Sequence, residues 1–444
     1  MRKKIKRFVC AAAAVITGLL SCCQVFAAVD TSAVFELTSN TWENWPQAPD
    51  IQGDTAVVMD LDTGAVLYDK GKDAERYPAS ITKIMTSLLI LENCSDMNAQ
   101  VTMTETGMAD AYSGSSNVNP TLGEVFTVEQ CLQMILVKSA NDVATQMAEY
   151  VGGSVQGFAD MMNAKAAELG CTHTHFCNAS GLENDDHYTS PYDMALITRE
   201  ALKHDKFREI ISLQSITIPA TNTSGARYYD THIQMIVPGN QYYYEGCIGG
   251  KTGYTDISKS TLVAVAERDG HTLIGVVMGG TDSNLICTDM IAILDYGFQN
   301  FSVTDMSYGL EMISGGTAMV PNGTEADAVE IQASRTDGGI QLTYLYSGQT
   351  LGSGLISEEG YKQLKQEREV TADFEDEPEE SQETQNVTVT ATPEAEQPEE
   401  NGARQETGNS ILPYVIMGVL GILILGGVIL IVVGSRRNRK GRRR

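Results

Sequence analysis

The chain has 444 residues, with 31 basic and 57 acidic side chains and a formal charge of −26. An acidic field of that size argues against nucleic acid as a partner. Nine cysteines, three of them within the first 23 residues, are too sparse for disulfides to be the framework of a chain this long.

In chain order, residues 1–28 read as a secretory signal peptide. Arg2, Lys3, Lys4, Lys6 and Arg7 form a positive head, Phe8 to Leu20 an apolar run, and Val25-Phe26-Ala27 a small-residue cleavage site. The run is short for a bilayer span. A second reading has Leu19-Leu20-Ser21-Cys22 as a lipobox that would acylate Cys22.

The folded body opens with a hairpin, Thr55 to Met59 and Ala65 to Tyr68, turning at Asp62-Thr63-Gly64. A helix is expected from about Ser80 to Leu91. Thr127 and Gln130 form a capping-box pattern before another apolar helix. Phe158, Met161, Met162 and Ala166 fall near helical spacing within 154–170. Thr261 to Ala266 and Thr272 to Met278 read as strands paired around Arg268-Asp269-Gly270, and Ile291 to Phe298 as a closing helix. Strands at both ends with helices between them predict an α+β class, an antiparallel sheet covered by helices. Short runs such as Ala328 to Ile331 and Ile340 to Tyr346 predict a small β-rich domain next.

Asp373 to Glu400 holds eleven acids and no base, and reads as an extended, self-repelling spacer. Ile411 to Gly434 carries no charge over 24 residues, long enough to cross a bilayer. Seven cations follow between Arg436 and Arg444, the signature of a cytoplasmic flank. The expected organisation is therefore signal peptide 1–28, main domain 29–300, β-rich domain 301–372, acidic linker 373–410, transmembrane helix 411–434 and cytoplasmic tail 435–444. The body is expected outside the cytoplasm, tethered to the membrane by its C-terminal helix. Without the cations of the head and tail, 19 basic residues face 57 acids.

Three short strings carry the chemistry: Ser80-Ile81-Thr82-Lys83, Ser139-Ala140-Asn141 and Lys251-Thr252-Gly253. On a helix, Ser80 and Lys83 stand at i and i+3 and can meet. A serine hydroxyl is a poor nucleophile until a base takes its proton. Lysine becomes that base only when its pKa falls from about 10.4 toward neutrality, a change of roughly 4 kcal/mol. Desolvation and a second cation, Lys251, are the expected causes. Ser139 between two lysines can relay a proton to a leaving amine, and the Asn141 amide can hold a substrate carbonyl. Gly249, Gly250 and Gly253 let a peptide approach a strand edge. Lys251 and Thr252 can then bind a terminal carboxylate.

Ser-x-x-Lys, Ser-x-Asn and Lys-Thr-Gly in this order resemble the signature of penicillin-binding proteins and serine β-lactamases. The context resembles more closely the low-molecular-mass D-alanyl-D-alanine carboxypeptidases. It comprises Pro78 to Thr86, Ser139 to Asp142, Phe158 to Asn163, Asn178 to Leu182 and Lys251 to Thr255. The likeness covers about residues 50 to 300. It implies a β-lactamase/transpeptidase-like domain and a cofactor-free enzyme that trims the terminal D-alanine of peptidoglycan stem peptides. Ser80 would be acylated, Lys83 would be the base and Ser139 the relay. Lys251 and Thr252 would hold the carboxylate, and the N–H groups of Ser80 and Tyr254 would form the oxyanion hole. β-Lactams would acylate Ser80.

The chain departs from the family pattern in three places. Tyr254 stands where some members have histidine, Ile286-Cys287 occupies the neighbourhood of a frequent arginine, and Arg227 to Tyr244 matches poorly. Alternatives are a DD-endopeptidase or transpeptidase, a β-lactamase, and an inactive wall-binding protein. No Glu-x-x-Leu-Asn pattern lies between Asn141 and Lys251 to support the β-lactamase. Cys171, His173, His175 and Cys177 alternate as on one strand face, but one extended run rarely supplies all four ligands of an ion. A Cys171–Cys177 link or free thiols are the stronger expectation. His187 is expected to be structural, and Cys247 is the thiol best placed to disturb the site.

Overall fold

In the computed structural model, residues 29–111, 115–310 and 313–374 are described. The signal-like head, nearly all of the acidic spacer, the apolar run 411–434 and the basic tail lie outside them. Among the described residues no helix is long and apolar enough to cross a membrane.

The opening hairpin forms as its turn residues dictate. β1 (Thr55–Asp60) and β2 (Val66–Lys70) pair antiparallel, and the Asp60 carboxylate accepts from the Thr63 N–H at 2.8 Å. Three later strands complete the sheet: β3 (Cys247–Thr255), β4 (Lys259–Arg268) and β5 (His271–Gly280). The order is β2-β1-β5-β4-β3, antiparallel throughout, with β3 at one edge.

Strand alternation divides this sheet between two cores. Val57, Met59, Val263, Val265, Ile274, Val276 and Met278 enter the core shared with the helical half. Ala56, Val58, Leu262, Ala264, Ala266, Leu273 and Val277 face the other way. There they meet the closing helix α7 (Leu285–Asn300) and the apolar side of a second sheet. Burial on both faces explains why β4 reads as a near-continuous apolar run.

At the centre of the helical half lies α1 (Lys83–Asn93), buried at every position from Lys83 to Ile90. A helix enclosed on all sides needs no polar face, so its only charged buried residue, Lys83, stands out. α2 (Val128–Gln133) starts at the expected Thr127–Gln130 capping box. It continues as a π-helical turn over Met134–Lys138. α3 (Asn141–Gly152), α4 (Val155–Glu168), α5 (Pro191–Ala201) and α6 (Asp205–Ile211) follow.

The β-rich stretch forms six strands: β6 (Phe301–Asp305), β7 (Ile313–Pro321), β8 (Glu330–Thr336), β9 (Gly339–Tyr346), β10 (Gln349–Ile356) and β11 (Val370–Ala372). Their order is β6-β7-β10-β9-β8-β11. α8 (Glu358–Glu367) crosses over so that β11 pairs parallel with β8.

Two local expectations are corrected. The closing helix begins at Leu285 rather than Ile291, because Ile286, Cys287 and Met290 already face the core and extend its apolar stripe. Residues 171–177 form no strand, only a single bridge between His175 and Tyr188, so their alternation does not align four ligands. Cys171 and Cys177 are both free thiols. Among the described residues no cluster of His, Cys, Asp or Glu could hold a metal ion.

Candidate active site

Ser80 sits in a 3-10 turn, Ala79–Thr82, that leads directly into α1. Ala79 has φ +50°, a left-handed conformation that costs a non-glycine residue of order 1 kcal/mol and needs outside support. That support is visible. The Thr261 hydroxyl donates to the Pro78 carbonyl at 2.9 Å, tying β4 to the turn. Thr86 donates to the Ala179 carbonyl at 2.7 Å. Gly181, at φ +82°, packs so tightly that a Cβ there would lie 1.9 Å from the Ala79 oxygen.

Lys83 is fully enclosed, and its Nζ has three partners: Ser80 Oγ at 3.0 Å, Asn141 Oδ1 at 2.6 Å and the Ser180 carbonyl at 2.5 Å. Two of these are fixed acceptors. A neutral amine has two N–H bonds and one lone pair. With its protons on Asn141 and Ser180, the lone pair points at the Ser80 hydroxyl. Burial, and then the charge of Lys251, push the Lys83 pKa well below its ordinary value, against the opposing pull of Asp110 and Asp142. Lys251 is itself 1% exposed, and burial brings it down to about 7. Its Nζ donates to the Thr252 carbonyl at 2.7 Å.

Ser139 ends the π-helical turn in a left-handed conformation, φ +64°, which swings its side chain away from the helix into the cleft. π-Turns recur where a helix must re-aim a side chain. Asn141 opens α3, its N–H donating to the Ser116 carbonyl at 2.8 Å. Next to it the buried Asp142 carboxylate accepts from the N–H groups of Val118 and Asn119 at 3.1 and 3.0 Å, pinning the loop beside Ser139. Burial raises the Asp142 pKa to about 6.

β3 forms the far wall. A Cβ on Gly253 would lie 2.8 Å from the Ser80 nitrogen, so the strand runs directly past the nucleophile. Tyr254 follows, 62% exposed, with its ring hydroxyl donating to Asp256 Oδ1 at 3.2 Å. The resulting cleft encloses about 640 Å³. Ser80, Ser139, Thr252, Gly253 and Tyr254 line it, with Lys83, Asn141 and Lys251 directly behind. All eight residues singled out in the sequence thus come together.

Sequence reasoning gave no role to several others. The Ser180 carbonyl, which orients Lys83, is held by the Asn178 side chain, whose Oδ1 accepts from the N–H groups of Ser180 and Gly181 at 3.2 and 2.8 Å. The Asn-Ala-Ser-Gly-Leu string was its only signal. Ser116, His232, Gln234, Asp282 and Cys287 also line the cleft. Of these, His232 and Gln234 fall in the poorly matching segment 227–244, and Cys287 stands in the neighbourhood of the missing arginine. His187 is structural, as expected: it accepts from the Cys177 N–H through Nδ1 at 3.0 Å, so Nε2 carries the proton toward Thr82 Oγ1 at 2.9 Å.

Comparison with known proteins identifies a family. The model of the D-alanyl-D-alanine carboxypeptidase family matches residues 43–282. The chain belongs to that family. It is 33% identical over 248 residues to the D-alanyl-D-alanine carboxypeptidase DacF of Bacillus subtilis, covering 56% of this chain and 62% of that one. With the D-alanyl-D-alanine carboxypeptidase of Streptomyces sp. K15 it shares 31% identity over 302 residues, 65% of this chain and 97% of the relative. The crystal structure of the Streptomyces K15 DD-transpeptidase superposes with a TM-score of 0.54 at 29% identity, over 57% of this chain and all of that one.

Proposed function

We propose that the protein removes the terminal D-alanine from peptidoglycan stem peptides through an acyl-enzyme on Ser80. The observation that carries this reading is the position of Lys83 Nζ, 3.0 Å from Ser80 Oγ and held by two fixed acceptors. Lys83 takes the hydroxyl proton as Ser80 Oγ attacks the carbonyl of the penultimate D-alanine. The Ser80 and Tyr254 N–H groups receive the oxyanion, aided by how closely β3 approaches the turn. Asn141 Nδ2, left free once Oδ1 has taken the lysine, holds the stem-peptide carbonyl. Ser139 passes a proton to the departing D-alanine, whose carboxylate rests on Thr252 above the buried Lys251 charge. Water then attacks the ester and restores Ser80.

β-Lactams fit the same scheme as inhibitors, since a strained amide with a neighbouring carboxylate presents the same groups. Residues 1–28 would direct export, and 411–434 would anchor the body, residues 29–300 and 301–372, on the outer membrane face. The linker 373–410 would space it from the bilayer, with 435–444 inside the cell.

The test uses the full-length chain and a pentapeptide ending in D-Ala-D-Ala. D-Alanine release and fluorescent-penicillin labelling are expected from the wild type, and neither from Ser80→Ala. Persistent labelling of Ser80→Ala would falsify the nucleophile. A second reading, transpeptidation, is favoured by the likeness to a protein named a DD-transpeptidase. Adding glycylglycine as acceptor separates the two by mass: an aminolysed product means transfer, and a shortened acid means hydrolysis.

A further inference from the structure

The cleft must recognise a free carboxylate, yet no arginine or lysine lies on its surface among the described lining residues. Lys251 is beneath the floor, 1% exposed, with Nζ turned to the Thr252 carbonyl. Of the lining side chains, only His232 can carry a positive charge, and Asp282 is an acid. The Asp282 carboxylate already accepts from the Asn284 and Leu285 N–H groups at 2.7 and 3.3 Å at the start of α7. An incoming anion is therefore repelled from the 282 end.

His232 is held in place by its neighbours. Ile233, Met235 and Ile236 are buried in the core behind β3, while His232 and Gln234 project into the cleft. The Tyr244 N–H donates to the Met235 carbonyl at 3.0 Å, and the Ile233 N–H to Thr231 Oγ1 at 3.1 Å, fixing the segment. No hydrogen bond to another described residue holds the His232 ring. Lys251 on β3 and Lys138 at the π-turn direct positive charge at it, as does Lys83 on α1 whenever it is protonated. Solvent reaches the residue, but the cleft walls still desolvate the imidazole, and with these cations they lower its pKa to about 4. A carboxylate bound beside the ring would reverse the sign of that field and favour a proton on it.

We propose that His232 recognises the substrate's free C-terminal carboxylate, which sits at the Ser139–His232–Thr252 end of the cleft. This deepens the proposed function and rests on it. His232 is here a specificity-determining residue: it donates an N–H, or in the bound complex a charged N–H, in a cleft whose described lining holds no arginine or lysine. An uncharged C-terminus gains nothing from it.

The experiment separates binding from turnover. In the full-length Ser80→Ala protein, affinities are measured by NMR titration for N-acetyl-D-alanyl-D-alanine as the free acid and as its C-terminal amide. A charge-assisted hydrogen bond predicts a preference for the acid of roughly 10- to 100-fold. Adding His232→Ala should remove most of that preference by weakening the acid and sparing the amide, whereas His232→Gln should retain part of it. The His232 ring should also titrate at higher pH with the acid bound than in the free protein. Equal affinity for acid and amide before the second substitution would overturn the proposal. So would an unchanged preference in His232→Ala, a parallel loss for both ligands, or a ring titration indifferent to the acid. Failure of the wild type to release D-alanine, with this discrimination intact, would instead count against the proposed reaction.

Discussion

Gly253 lies against the backbone nitrogen of Ser80, where a Cβ would stand 2.8 Å away, and 2.4 Å from Thr261 Oγ1. The Ser80 nitrogen is backbone, and Thr261 Oγ1 is held by its hydrogen bond to the Pro78 carbonyl at 2.9 Å, so neither readily gives way. Gly253→Ala must push β3 away from the nucleophile turn, or the turn away from Lys83. A displacement near 1 Å costs on the order of 100-fold in rate when the reacting groups are held by geometry. The expected result is a fall of about that size in the Ser80 acylation rate by fluorescent penicillin, with far-UV circular dichroism unchanged. Wild-type acylation by Gly253→Ala would mean that the strand does not position the oxyanion.

Gly181 supports the same turn from the other side. A Cβ there would meet the Ala79 carbonyl at 1.9 Å, and the glycine's φ of +82° strains any other L-residue. Gly181→Ala should destabilise the protein by about 1–3 kcal/mol through overpacking, read as a lower thermal midpoint. It should also reduce penicillin labelling of the protein that remains folded, because Ser180, whose carbonyl orients Lys83, moves with it. Loss of stability alone, with a normal labelling rate in the folded fraction, would confine Gly181 to packing.

The two lysines are coupled through charge. Lys251 is among the causes holding the Lys83 pKa down, after burial. Lys251→Met removes that repulsion, so Lys83 should bind its proton more tightly. The acid limb of the pH–rate profile for Ser80 acylation should move to higher pH, since Lys83 acts only when unprotonated. Stability should change in the opposite sense. The Lys251 folded-state pKa is about 7 against 10.5 unfolded, so the unfolded chain binds the extra proton across that window. The penalty is full below about pH 7 and vanishes toward pH 10.5. Lys251→Met should therefore melt a few degrees higher than wild type at pH 7, with the gain shrinking as pH rises. A gain independent of pH would point to packing instead of charge.

Much of this architecture was legible in the chain, and the gaps share a cause. The β1–β2 hairpin was readable because Asp60 to Gly64 holds its own turn, and α2 because Thr127 and Gln130 cap each other. β4 and β5 showed as apolar runs flanking Asp269-Gly270. These are local interactions, written in neighbouring residues. The Ser80–Lys83 contact was readable for the same reason, three positions apart at the start of a helix. What escaped depends on distant partners. The Ser180 carbonyl is a backbone group with no side-chain signature, and it meets Lys83 across 97 positions. His232 reaches the cleft because Ile233 and Met235 anchor in the core on the other face of the sheet. Residues 171–177 misled because alternation alone does not make a strand without a partner strand to pair with, and the segment has a single bridge.

His187 supplies the last test, and it concerns stability. The ring is 2% exposed, bridging the Cys177 N–H and the Thr82 hydroxyl one residue before Lys83. Burial, then the charges of His175 and Lys83, lower its pKa to about 3 from an ordinary 6.5. Between those values the unfolded chain binds a proton that the folded one refuses, so stability falls with falling pH. The contribution is fully present above pH 6.5 and is lost progressively toward pH 3, with an upper bound of roughly 5 kcal/mol at 1.36 kcal/mol per unit. His187→Asn loses the imidazole and with it this part of the slope. It should be less stable than wild type at pH 7, because the Thr82–Cys177 bridge is broken, and the gap should narrow or reverse near pH 4. Denaturant midpoints at pH 7, 5.5 and 4 measure it directly. Parallel curves for the two proteins would show that His187 does not control acid sensitivity and that the imidazole is protonated more readily than its enclosure implies.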